Sequence, residues 1–150
     1  MNVDSSIKFP LIELTEWIFK REKVFFEILE NQIDQIHYVK ESRIEKHFER
    51  EIVDGNGFLI KVSNPKYLEK KQSILSPVYE PKSKVKFEFK NSGKKISLDT
   101  LKQKILSKSK KMFHITHNKL MSQSDFRTAI EQSENYEELI SIATFLKYLG

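Results

Sequence analysis

Apolar residues recur in two periods along this chain, and the change of period marks its candidate elements. In TEWIFKREKVFFEILENQIDQIHYVK, Phe25, Leu29, Ile33 and Ile36 fall at helical spacing, with Ile18 and Ile28 near the same face. Thr15 stands where an N-cap would. The spacing predicts a long helix from about Glu16 to Tyr38, although the short run VFFEIL also suits a strand. Ile44, Phe48 and Ile52 step by four and predict a second helix. Asp54-Gly55-Asn56-Gly57 would end it, because glycine tolerates the left-handed conformation of a C-cap.

The period then shortens. GFLIKVSNP reads as a strand from Phe58 to Val62, stopped before Pro65. KYLEKKQSILSPVYEPK is an irregular connection carrying Pro77 and Pro81. In KSKVKFEFKNSGKK, Val85, Phe87 and Phe89 alternate with Lys84, Lys86, Glu88 and Lys90, which separates an apolar strand face from a charged one. Asn91-Ser92-Gly93 reads as a turn, with KKIS returning as a second strand.

Three helices follow. Ser97 caps one that runs to about Met112, with Leu98, Leu101, Ile105 and Met112 on its apolar side. Ser122-Gln123-Ser124-Asp125 and Asn135-Tyr136-Glu137-Glu138 resemble capping boxes and open two more. The last is apolar over much of its circumference, through Leu139, Ile142, Ala143, Phe145, Leu146 and Leu149. The expected fold class is α+β: a single compact domain, with several helices packed around a small antiparallel sheet or hairpin. It would comprise an acidic helical N-terminal third, a basic β-hairpin and helix in the middle, and a C-terminal helical hairpin.

Composition allows a real core: among 150 residues there are eleven Phe, five Tyr and one Trp. The chain has no cysteine, which excludes disulfides, thiolate zinc sites and cysteine nucleophiles. MNVDSSIKFPLIEL lacks the basic start and apolar run of a signal peptide, and no stretch approaches the length of a membrane-spanning helix. A cytoplasmic location is the expectation.

Charge changes the picture most. Residues 1–60 sum to −4, residues 61–120 to +12 and residues 121–150 to −3, within a net charge of +5. From Lys82 to Lys111, eleven lysines stand against Glu88 and Asp99. Lys82, Lys84, Lys86, Lys90, Lys94 and Lys95 belong to the strand region. Lys104, Lys108 and Lys111 form a stripe at i, i+4, i+7 on the following helix. Together they make a candidate surface for nucleic-acid phosphates. The block holds no arginine, the residue that reads guanine bidentately, so backbone contact with little sequence discrimination is expected. Phe87 and Phe89 lie opposite the charges and suit a core better than base stacking. The competing reading is protective, since lysines on an edge strand hinder sheet-to-sheet aggregation. A second class of function is an adaptor, inhibitor or toxin-immunity protein that docks an acidic protein partner by charge complementarity.

Signals for other chemistry are thin. Glu88-Phe89-Lys90 has the E-x-K form of metal-dependent nucleases, with Asp54 as a conceivable upstream carboxylate. His114 and His117 have i, i+3 spacing that suits a metal on a helix. Asp54-Gly55-Asn56-Gly57 starts like a calcium loop but meets Phe58 at the fifth position and Pro65 at the twelfth. No phosphate-loop, dinucleotide or nucleophile-elbow motif occurs. The polar positions of the last helix, Glu137, Glu138, Ser141, Thr144 and Lys147, suit a major groove poorly. The expectation is a non-enzymatic binding domain without cofactor or metal.

Overall fold

The computed structural model describes residues 4–15, 17–19, 22–24, 27–70, 80–115 and 122–144. Its strands are β1 (Leu11–Glu13), β2 (Trp17–Phe19), β3 (Glu22–Val24), β4 (Glu27–Leu29), β5 (Ile36–Lys40), β6 (Ile52–Val53), β7 (Phe58–Glu69) and β8 (Lys82–Lys95). Its helices are α1 (Ile44–Phe48), preceded by a 3₁₀ turn at Glu41–Arg43, then α2 (Leu98–Ile115), α3 (Gln123–Gln132) and α4 (Tyr136–Ala143). Six strands form one antiparallel sheet in the order β4-β1-β6-β7-β8-β5, while β2 pairs with β3.

The expected architecture is therefore corrected. A six-stranded antiparallel sheet organises the described residues, rather than helices surrounding a small sheet or hairpin. Among the described residues of the span from Glu16 to Tyr38, short strands stand in place of the expected long helix. β4 pairs with β1 through Leu11↔Leu29, Ile12↔Ile28 and Glu13↔Glu27. The region is rich in β-branched and aromatic residues, and non-local pairing overrides a helical spacing that the same residues also satisfy. Thr15 caps no helix; its hydroxyl accepts from the Glu51 amide at 2.8 Å.

The second expected helix shrinks to α1. Ile52 lies instead in β6, between β1 and β7. Ile52 and Val53 are both buried because the sheet is covered on both faces at this point. Asp54 to Gly57 then makes the β6–β7 turn. The Asp54 carboxylate accepts from the amides of Asn56 (2.9 Å), Phe58 (2.8 Å) and Lys8 (3.2 Å).

β7 does not stop before Pro65. It passes an irregularity at Asn64–Pro65, where Asn64 has φ +48°, and continues to Glu69. A bulge is where a sheet tolerates proline. β8 likewise runs through the predicted turn at Asn91–Gly93, and its antiparallel partners are β7 and β5 rather than its own continuation. The predicted helix caps hold. Ser97 accepts from the Thr100 amide at 3.1 Å, Ser122 from Asp125 at 3.0 Å, and Asn135 from Glu138 at 2.8 Å.

Two apolar clusters sandwich the sheet. On one face, Leu11, Ile52, Ile60, Val62, Val39, Val85, Phe87 and Phe89 pack with Ile7, Ile33 and Ile44 of α1. On the other, Ile12, Ile28 and Val53 pack beneath Leu101 and Ile105 of α2, Phe126 and Ile130 of α3, and Leu139, Ile140 and Ala143 of α4. Met112, Phe145, Leu146 and Leu149, expected in the same apolar sides, fall outside the described side chains.

Candidate nucleic-acid interface

The strand alternation expected for residues 82–90 is present. Ser83, Val85, Phe87 and Phe89 are buried on the α1 face, while Lys82, Lys84, Lys86, Glu88 and Lys90 project from the opposite face. Pairing carries that outer face across three strands, because residues directly opposite in a ladder share a face. On β5 it adds Ile36, Tyr38 and Lys40, opposite Lys86, Lys84 and Lys82. On β7 it adds Lys61, Ser63, Lys66 and Glu69, opposite Lys90, Glu88, Lys86 and Lys84.

The outer face of β5, β8 and β7 thus holds seven lysines against two carboxylates. Lys40, Lys61 and Lys66 had no place in the sequence-based site. They stand outside the lysine-dense block, and only strand register brings them in. Three like-charged pairs face each other directly: Lys40↔Lys82, Lys66↔Lys86 and Lys61↔Lys90. Lys90 also contacts Glu88 at 3.0 Å, and Glu88 accepts from Asn64. These hydrogen bonds, led by that from Asn64, hold the Glu88 carboxyl below its usual range. Asp4, Asn64, Lys66, Lys86, Glu88 and Lys90 help line a groove of about 420 Å³ here.

Tyr38 is 64% exposed and Ile36 38% exposed on this face. The alternation of residues 85–89 puts Phe87 and Phe89 on the buried side, whereas Tyr38, expected at the end of a long helix, joins the outer face through its pairing with Lys84.

The other candidate lysines are dispersed. Lys94 and Lys95 lie at the far end of β8, both exposed. The Lys95 ammonium sits 5.7 Å from the Phe58 ring and 5.2 Å from the Tyr136 ring. On α2, Lys104 forms an ion pair and hydrogen bond with Glu51, so it is already engaged within the fold. Lys108 is half-buried, and the Lys111 side chain lies outside the described ones.

The alternative motifs gain no support. Glu88 and Lys90 do share a face, but Asp54 is fully buried and satisfied by main-chain amides. Among the described residues no group of three His, Asp or Glu is arranged to hold a metal ion. The His114 and His117 side chains lie outside the described ones. No helix among the described residues is long and apolar enough to cross a membrane.

A second polar cluster occupies the α1 face. Arg50 donates to Glu13 in a bidentate pair at 2.8 and 2.7 Å, with side chains only 5% and 1% exposed. The guanidinium also lies 5.2 Å from the Phe89 ring. His47 stacks on Phe87 with centroids 4.5 Å apart, and His37 lies 5.1 Å from His47. Burial, then His37 and Arg50, pushes His47 down to about 4. Burial and Arg50 also lower His37. This cluster is packed beneath α1, whereas on the lysine face Lys40, Lys61, Lys66, Lys82 and Lys90 are exposed and Lys84, Lys86 and Glu88 half-buried. No family model, curated protein or solved structure matches the chain.

Proposed function

We propose that this chain binds nucleic-acid backbone, with little sequence discrimination, through the outer face of β5, β8 and β7. The observation that carries the reading is the set of three lysine–lysine pairs facing each other across strands. Like charges directly opposite destabilise a sheet. Departures from local rules of this kind are expected where a surface serves function. Phosphates would neutralise the repulsion and release counterions.

Edge protection explains this arrangement poorly. Lys84 and Lys86 lie where β8 is flanked by both β7 and β5, inside the sheet rather than at its rim, although Lys40 stands on the outermost strand β5. Lysine is a compact point charge without arginine's fork, which favours phosphate over base edges.

The test is a fluorescence-anisotropy titration with generic DNA and RNA at low and physiological salt. Wild-type binding should weaken steeply with salt. The variant Lys66→Ala/Lys84→Ala/Lys86→Ala should lose affinity, with the salt slope falling by roughly one for each lysine that contacts a phosphate. Lys104→Ala/Lys108→Ala/Lys111→Ala should lose less, because Lys104 is engaged by Glu51. Equal, weak binding by all three proteins would remove the reading. Tight association with an acidic protein and none with nucleic acid would replace it with the partner-docking class.

A further inference from the structure

We infer that the open face takes a single strand in preference to a duplex, and that Tyr38 provides the platform for one of its bases. This rests on the reading of the lysine face given above and adds the class of nucleic acid.

Tyr38 stands on β5 directly opposite Lys84, between the Ile36–Lys86 and Lys40–Lys82 rows. A cross-strand lysine commonly lays its aliphatic stem along a neighbouring ring. Here the tyrosine remains 64% exposed, so most of the ring is left uncovered. Ile36, 38% exposed in the adjacent row, extends the apolar floor beside it. An aromatic ring within a basic surface is the arrangement that binds single strands: the cations follow the backbone and the ring stacks on a base. In a duplex the base faces are hidden by their own stacking, and Tyr38 would have no partner there.

Spacing agrees. Lys82, Lys84 and Lys86 alternate along one strand face, which places successive ammonium stems about 6.8 Å apart. That is comparable to the separation of neighbouring phosphates on an extended single strand. β5 is also the last strand of its sheet, so a base can reach Tyr38 from the open side.

The test compares an oligothymidylate of about twelve nucleotides with a duplex of equal length at one salt concentration. Wild type should favour the single strand. Tyr38→Ala should weaken single-strand binding roughly 5- to 100-fold and leave duplex binding and the salt slope unchanged. Tyr38→Leu, which suits a strand but lacks a π-face, should behave like Tyr38→Ala, whereas Tyr38→Phe should bind like wild type. Circular dichroism should superimpose for all four proteins. Unchanged single-strand binding in Tyr38→Ala, an equal loss for duplex, or no single-strand preference in wild type would overturn the inference. The broader function would still stand in those cases if the lysine triple variant weakened binding to both forms. Absence of any binding by wild type at low salt would overturn both.

Discussion

Leu59 and Lys61 are two residues apart on β7 and project from the same face of the sheet, yet they meet opposite environments. Leu59 packs against the cluster beneath α2, α3 and α4, beside Val53, its partner on β6. Lys61 is exposed opposite Lys90. One sheet face is thus divided: apolar and covered from β4 through β6 to Leu59 of β7, basic from Lys61 of β7 through β8 to β5. Taking several ammonium groups out of water is costly, whereas burying apolar side chains is favourable. Helices that cover Ile12 and Val53 therefore have no favourable reason to extend over Lys61, Lys66 and Lys86. Among the described residues, the edge of the helical layer coincides with the change from apolar to basic side chains on this sheet face.

The largest expected effect breaks the covered half. Leu101 is fully buried between α2 and the sheet. Leu101→Ala should destabilise the protein by about 2–5 kcal/mol in chemical denaturation, from lost transfer energy and the cavity left behind. Lys61→Ala, at an exposed position on the basic half, should stay within about 0.5 kcal/mol of wild type. Comparable shifts in the two variants would mean that the halves are not energetically distinct.

A smaller effect separates the α1 face from the open one by pH. His47 is held at about 4 by burial, reinforced by His37 and Arg50. Histidine in an unfolded chain titrates near about 6.5. Between these values the unfolded state binds the proton more readily, so the His47 contribution should lower stability as pH drops from about 6.5 towards 4 and stay constant below. His37 is shifted in the same direction. Asp4, Glu80 and Glu88 are held below the usual carboxylate range, so they act beneath most of this window. The denaturant midpoint measured against pH should show this slope, and His47→Phe, which keeps a ring beside Phe87, should flatten it. An equally steep slope in His47→Phe would assign the pH response elsewhere.

Much of this division could be read from the sequence, for identifiable reasons. Val85, Phe87 and Phe89 declared their face by strict alternation, and Ser97, Ser122 and Asn135 declared helix starts by local capping chemistry. Those signals act over a few residues. What failed was non-local. Ile28 and Ile36 fit a helical stripe, but Ile28 is buried opposite Ile12 while Ile36 is exposed opposite Lys86. Glu13 and Arg50 gave no sign of pairing because 37 residues separate them. Lys82, Lys84, Lys86 and Lys90 show their common face by alternation, while Lys40, Lys61, Lys66 and Tyr38 join it only through register. The helix stripe of Lys104, Lys108 and Lys111 was a valid spacing, but Lys104 turned out to be engaged by Glu51.

The smallest stability change tests the comparison most directly. Lys66 faces Lys86 on the open half. Lys66→Glu converts that pair from like to opposite charge. Cross-strand pairs of this type contribute roughly 0.2–1 kcal/mol, so the variant should be slightly more stable than wild type in equilibrium denaturation. On the proposed function it should also bind nucleic acid more weakly at low salt, because one cation of the proposed binding face becomes an anion. A gain in stability joined to a loss of binding is the signature of a surface kept for its ligand at the expense of the fold. If the lysines served only solubility, exchanging one for glutamate would leave no binding to lose. If Lys66→Glu lowered stability, the two lysines would not be repelling each other, and the observation that carries the proposed function would fall.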